Sequence, residues 1–217
     1  VMPMSHSNII NISEALVGGT LNSPKDLIHL RNKAGTYGLD IQQLDHAVSG
    51  ADIAMWDVLG KYLNEPAWKL IGHSTSHKKL PYASVLFGND PDETHAIATS
   101  IVERNFQAAK FGWGPMGQFD EKYDIELVES AREGMGKSAQ IMIDAGVAWG
   151  SDYKTAYDRA EAFSQYTPTW LEEPLAPEAI EAYRTLSSVN TTVPIASGAV
   201  SENFRMDENL SINGKVD

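Results

Sequence analysis

From Lys79 onward, short apolar segments alternate five times with longer amphipathic ones, and no hairpin signal separates them. Strands are expected over Leu80–Phe87, Ala108–Trp113, Ala139–Ala145, Thr167–Glu172 and Val193–Ser197. Helices are expected over Pro91–Asn105, Lys122–Gly134, Ser151–Gln165 and Pro177–Ser187, with one more from about Ser201. Asp90, and either Ser151 or Asp152, are candidate N-caps, because a short acceptor side chain satisfies the free N–H groups of a first turn. Strands joined by helical crossovers pair in parallel, so this part of the chain is α/β. In such architectures ligand sites gather at the carboxyl ends of the strands.

Charged residues stand at those ends. Lys110, Asp144 and Glu172 lie at or near the ends of three successive strands, 34 and 28 residues apart. Each interval is about one βαβ unit, so the three would converge on one mouth. The last of them sits in Thr169-Trp170-Leu171-Glu172-Glu173-Pro174, where an apolar pair runs into two acids and a proline stops the strand. Any one of these charges alone would read as a helix cap or a salt-bridge partner. Three in phase point to a site. Two carboxylates on neighbouring strand ends suit a hard divalent cation such as Mg²⁺, which takes oxygen ligands and keeps positions open for substrate. A lysine beside such a cation is suited to proton transfer, and the cation to holding a developing oxyanion. The plainer reading of Lys110, a structural ion pair with Asp144, is compatible with that role.

Residues 1 to 78 read as helical. Ser23 and Pro24 open a helix to about Ala34, and a longer one runs from about Ile41 to Leu63 with apolar residues at three- and four-residue spacing. Asp45, Asp52 and Asp57 within it read as exposed or cap-bonded acids. Pro66 opens a short helix that ends at Gly72. His73 and His77 stand four apart in a Ser/Thr-rich linker without a glutamate between them, which argues against a zinc site.

Composition narrows the partners. There are no cysteines, which excludes disulfides and thiolate metal sites and fits a cytoplasmic setting. A net charge of −12 argues against nucleic acid, because phosphate binding needs a basic surface. No apolar run reaches the roughly 18 residues of a membrane span, so no membrane partner is expected. The chain opens on Val1 and closes just after Asn213-Gly214, where a turn would launch another strand, so it reads as a piece of a longer protein.

Taken together, these residues resemble the mandelate racemase/muconate lactonizing enzyme branch of the enolase superfamily. The resemblance is carried by Ser49-Gly50-Ala51-Asp52-Ile53-Ala54-Met55-Trp56-Asp57-Val58-Leu59-Gly60-Lys61, then Ala109-Lys110-Phe111-Gly112-Trp113-Gly114, Met142-Ile143-Asp144-Ala145, Trp170-Leu171-Glu172-Glu173-Pro174 and Pro194-Ile195-Ala196-Ser197-Gly198. It implies a partial TIM-type (β/α) barrel of about five strands over 79–217, preceded over 1–78 by the helical part of an N-terminal capping domain whose loops close over the substrate. Ser84 to Phe87 would line the mouth. It implies Mg²⁺ as cofactor, with Asp144 and Glu172 as ligands, Glu173 behind them or bonded near the substrate, and Lys110 as an acid/base residue. The implied reaction is abstraction of the proton α to a carboxylate, in an acid-sugar dehydratase or, as alternatives, a racemase or cycloisomerase. Family members are often homo-oligomers acting on small carboxylates.

Two departures from that pattern matter. The family's third metal-binding acid follows Gly198, and here that position is Ala199, which has no ligand atom. Glu202, three residues on, would need a shifted backbone to replace it. The second lysine common two residues after the first is here Gly112. The loss at Ala199 leaves a third expectation open, a catalytically inactive relative serving as a binding or structural module.

Overall fold

Hydrophobic spacing and proline positions decide where each element begins. The computed structural model describes residues 12–35, 41–189, 192–199, 201 and 204–215. The chain divides into two compact units, Val1–Lys78 and Lys79–Asp217.

In the first unit, helix α1 (Pro24–Ala34) starts where the Ser23 hydroxyl accepts from the Asp26 N–H and Pro24 takes the first turn. Leu27, Leu30 and Ala34 recur on one face and are buried. Leu27 and Leu30 pack with Met55 and Leu59 of α2 (Ile41–Leu63). Ala34 joins Leu44, Ala47 and Val48 in a neighbouring cluster. A short α3 (Ala67–Leu70) begins after Pro66, and the stretch containing His73 and His77 is not helical, so the two rings do not share a helix face. Asp45 and Asp57 are exposed, as expected. Asp52 differs: it is half-buried, with a carboxylate oxygen 3.6 Å from the Arg31 guanidinium.

The second unit alternates strand and helix: β1 (Ala83–Leu86), α4 (Pro91–Glu103), β2 (Ala108–Gly112), α5 (Glu121–Met135), β3 (Gln140–Asp144), α6 (Tyr153–Ser164), β4 (Leu171–Glu172), α7 (Ile180–Ser188), β5 (Ile195–Ala196) and α8 (Phe204–Asn209), which runs into a π-helical turn, Leu210–Gly214. Asp90, Asp120 and Asp152 cap the N-termini of α4, α5 and α6. All pairings are parallel and the spatial order is β1-β2-β3-β4-β5. That is the order of barrel strands; a doubly wound sheet reverses its order partway.

Side chains alternate across this sheet. Ala109, Phe111, Ile141, Ile143, Leu171 and Ile195 point into one core with Ile101, Leu127, Val128, Phe163 and Leu186 of the helices. Fully burying a side chain of this size contributes about 1.5–3 kcal/mol. Helix α5 packs closely on α4 because Gly134 has no side chain: a Cβ there would lie 2.5 Å from that of Ala98. The opposite face carries Ser84, Lys110 and Met142, then Gly112, Asp144, Glu172 and Ala196 toward the carboxyl ends.

The strands are shorter than their apolar runs. β4 is confined to Leu171–Glu172 by Pro168 and by Thr167, whose φ is +50°, although the Thr169 N–H still donates to the Ile141 carbonyl at 2.7 Å. Pro194, which lacks an N–H, bounds β5. Helix α7 starts at Ile180, three residues after Pro177. Ser201 is not helical, and Glu202 lies outside the described residues.

Candidate functional site

The register aligns Gly112 with Asp144, Asp144 with Glu172, and Glu172 with Ala196, which puts both carboxylates in one row on one face. Lys110 starts two residues before Gly112 and reaches up to that row. Its Nζ lies 3.0 Å from Asp144 Oδ2 and 2.6 Å from Glu172 Oε1, with all three side chains largely buried. The three residues singled out by strand spacing therefore meet at one point. Burial pulls the Lys110 ammonium down, but hydrogen bonds and attraction from Glu172 and Asp144 outweigh it, so its pKa rises above the ordinary lysine range.

Each carboxylate is also held from its other side. The Gly146 N–H donates to Asp144 Oδ1 at 3.0 Å, and the Trp170 indole N–H donates to Glu172 Oε2 at 2.8 Å. Trp170 is uncharged, and the pattern of strand-end charges does not mark it. The signal is its spacing: Trp170 stands two residues before Glu172, just ahead of β4, and in extended backbone that spacing returns a side chain to the same side.

Gly112 is seated against Asp144. A Cβ at this position would lie 2.9 Å from the Asp144 Cβ and 3.2 Å from its Cγ. A side chain here would require Gly112 or Asp144 to shift, so the glycine is matched to the present packing of the site. A cleft of about 370 Å³ opens beside these groups, lined by Ser84, Leu86, Lys110, Gly112, Trp113 and Asp144.

The loop after β2 is fixed by charges that no motif announced. Trp113 has φ +56°, and its N–H donates to the Asp144 carbonyl at 3.0 Å. Farther along, the Gly117 N–H donates at 2.7 Å to Asp124, which is fully buried and paired with Arg159 at 2.8 Å. Burying a charge is costly unless it is paired, and here the pair also anchors the loop.

Glu173 is 1% exposed and has φ +47°. Its carboxylate bears on Tyr183 of α7, whose phenol is pushed up to about 12, first by burial and to a lesser degree by the Glu173 charge. The Tyr183 hydroxyl donates to the Leu175 carbonyl at 2.7 Å and accepts from Ser197 at 3.2 Å. Ala199 sits exposed in the turn past β5. Among the described residues, no group of three or more His, Cys, Asp or Glu side chains could hold a metal ion. Asp144 and Glu172 are nonetheless oxygen donors of the kind Mg²⁺ takes, commonly one or two carboxylates with substrate and water completing its shell, and in this structure the Lys110 ammonium lies between them.

Known proteins share this fold. The family described as mandelate racemase/muconate lactonizing enzyme, N-terminal domain, matches residues 4–72, and the enolase C-terminal domain-like family matches residues 93–217. The crystal structure of a predicted mandelate racemase from Rhodobacter sphaeroides is 37% identical, with a TM-score of 0.86 over 100% of this chain and 55% of that one. D-galactonate dehydratase of Klebsiella pneumoniae is 30% identical over 86% of this chain and 49% of its own length. D-galactarolactone cycloisomerase of Agrobacterium fabrum is 31% identical over 70% of this chain and 39% of its own. The chain thus spans about half, or less, of the relatives it matches. Its five parallel strands in chain order are a partial TIM-type barrel. Matched in order by an N-terminal and a C-terminal domain of the same enzymes, this chain belongs to the mandelate racemase/muconate lactonizing enzyme family of the enolase superfamily.

Proposed function

We propose that this chain is part of an enzyme that removes the proton α to a carboxylate, and that its reaction is dehydration of an acid sugar to a 2-keto acid. The observation that carries the reading is the convergence of Lys110 Nζ with Asp144 and Glu172 at adjacent strand ends. Similarity to a sugar-acid dehydratase supports the substrate class. Residues 79–217 would supply barrel strands and the site, and residues 1–78 the helical part of a capping domain.

Asp144 and Glu172 are the residues that would hold Mg²⁺, and the bound ion would supply electrostatic stabilisation of the charge that develops on the substrate carboxylate. Lys110 Nζ is the proton-carrying atom. As an amine it takes the α-proton. As an ammonium it gives a proton to the departing β-hydroxyl, whose oxygen leaves with the C–O electron pair as water. Burial of all three side chains keeps water from screening these charges.

Two other readings have specific support. Similarity to a cycloisomerase favours ring closure or racemisation by the same α-proton step, although Gly112 disfavours a two-lysine racemase. The exposed Ala199 favours an inactive relative that binds without turnover.

Incubation with galactonate, gluconate or galactarate and Mg²⁺ in D₂O separates them. Dehydration is expected to give a 2-keto product from one of these acids. Deuterium entering the α-position without keto product would overturn dehydration in favour of racemisation. No turnover by a protein that still binds Mg²⁺ would favour the inactive relative.

A further inference from the structure

We infer that Trp170 is a positioning residue for Glu172, and that its indole N–H sets the affinity of the carboxylate pair for a divalent cation. The inference rests on reading Asp144 and Glu172 as cation ligands. Its basis is a symmetry in the hydrogen bonding. Each carboxylate has one oxygen tied back by an N–H donor and the other directed at a shared point. Asp144 Oδ1 is tied to the Gly146 N–H at 3.0 Å, and Asp144 Oδ2 faces Lys110 Nζ at 3.0 Å. Glu172 Oε2 is tied to the Trp170 indole at 2.8 Å, and Glu172 Oε1 faces the same Nζ at 2.6 Å.

Asp144 has a short side chain and a backbone donor close by. Glu172 has one more rotatable bond and sits at the end of a two-residue strand, so it depends on a side-chain donor to fix its oxygens. Trp170 is placed to serve, two residues earlier and just ahead of β4, with its indole on the same side as the Glu172 carboxylate. The half-buried indole is itself oriented by Tyr82, whose ring meets it edge-on with centroids 6.3 Å apart. Donors that orient ligating groups typically account for about 10–100-fold in metal affinity. A tryptophan that served only as packing would have no such effect once replaced by another aromatic ring.

The test is titration of the protein with Mg²⁺ by calorimetry. W170F keeps an aromatic ring and removes the donor; it is expected to weaken Mg²⁺ binding about tenfold or more, with a cooperative thermal melt retained. W170H, which keeps a ring N–H, is expected to recover part of that loss. A W170F protein that binds Mg²⁺ within twofold of wild type would overturn the inference. Absence of Mg²⁺ binding by the wild type would overturn it together with the cation reading, a result distinguishable because no variant is needed to see it. A second measurement does not depend on how the variants fold. The five tryptophans give five indole N–H resonances. That of Trp170 is expected to shift on Mg²⁺ addition with the calorimetric midpoint, and a Trp170 resonance unmoved at saturation would also overturn the inference.

Discussion

Several side chains in this protein place titratable groups where water is scarce, and Tyr183 shows the thermodynamic consequence. Its phenol titrates near 10 when exposed and is pushed up to about 12 in the fold. The neutral form is favoured, so the stability it brings is fully present below pH 10 and is lost as pH rises toward 12, where the unfolded chain releases a proton that the folded one keeps. At 1.36 kcal/mol per pH unit, the loss amounts to about 2–3 kcal/mol. Y183F is expected to lose less stability than wild type over that alkaline range, as measured by urea unfolding at successive pH values. An equal decline in both proteins would show that Tyr183 does not carry it. At this scale the sequence was most legible for Lys110, Asp144 and Glu172, because one βαβ unit between charges is a spacing that pattern reading detects. Asp124 and Arg159 were not legible. They lie on helices, 35 residues apart, and only the packing of α5 against α6 shows that the acid is fully buried and paired.

Among elements, the amino ends of β3 and β4 hang on one guanidinium. Arg132 of α5 donates to the carbonyls of Tyr166, Gly136, Ala139 and Thr167, across the chain segments that lead into those two strands. Burial lowers its pKa, and four carbonyls take the place of the lost water. Lysine cannot reproduce a planar fork that serves four acceptors. R132K is therefore expected to destabilise the protein by about 2–3 kcal/mol, read from the denaturant midpoint at an unchanged m-value. Retention of the wild-type midpoint would mean that the carbonyls are satisfied in some other way. Element type and order were readable from hydrophobic period, and the caps from Asp90 and Asp152. Strand ends were harder to read. The apolar run of β4 begins at Thr167, but a left-handed residue and Pro168 hold the ladder to two residues, a limit set by backbone conformation rather than by hydropathy.

For the molecule as a whole, the two family matches cover the chain in order, the paired charges come from β2, β3 and β4, and Ala199 lies exposed in the turn after β5. If that turn is where a third carboxylate belongs, A199E is expected to tighten Mg²⁺ binding at least tenfold by calorimetry. An unchanged affinity would show that the position does not face the ion. Fold class was legible at this scale because five alternations without a hairpin signal leave few topologies. Substrate identity was not, since it depends on which surfaces surround the mouth rather than on the strand-end charges. The contact between Gly112 and Asp144 also bears on how such a chain can diversify. With 2.9 Å between a new Cβ and the Asp144 side chain, the exchange from one lysine to two is not a single neutral step. A lineage taking that route would need a compensating shift of the neighbouring strands along with the new base, so the glycine and the spacing of β2 from β3 would change together.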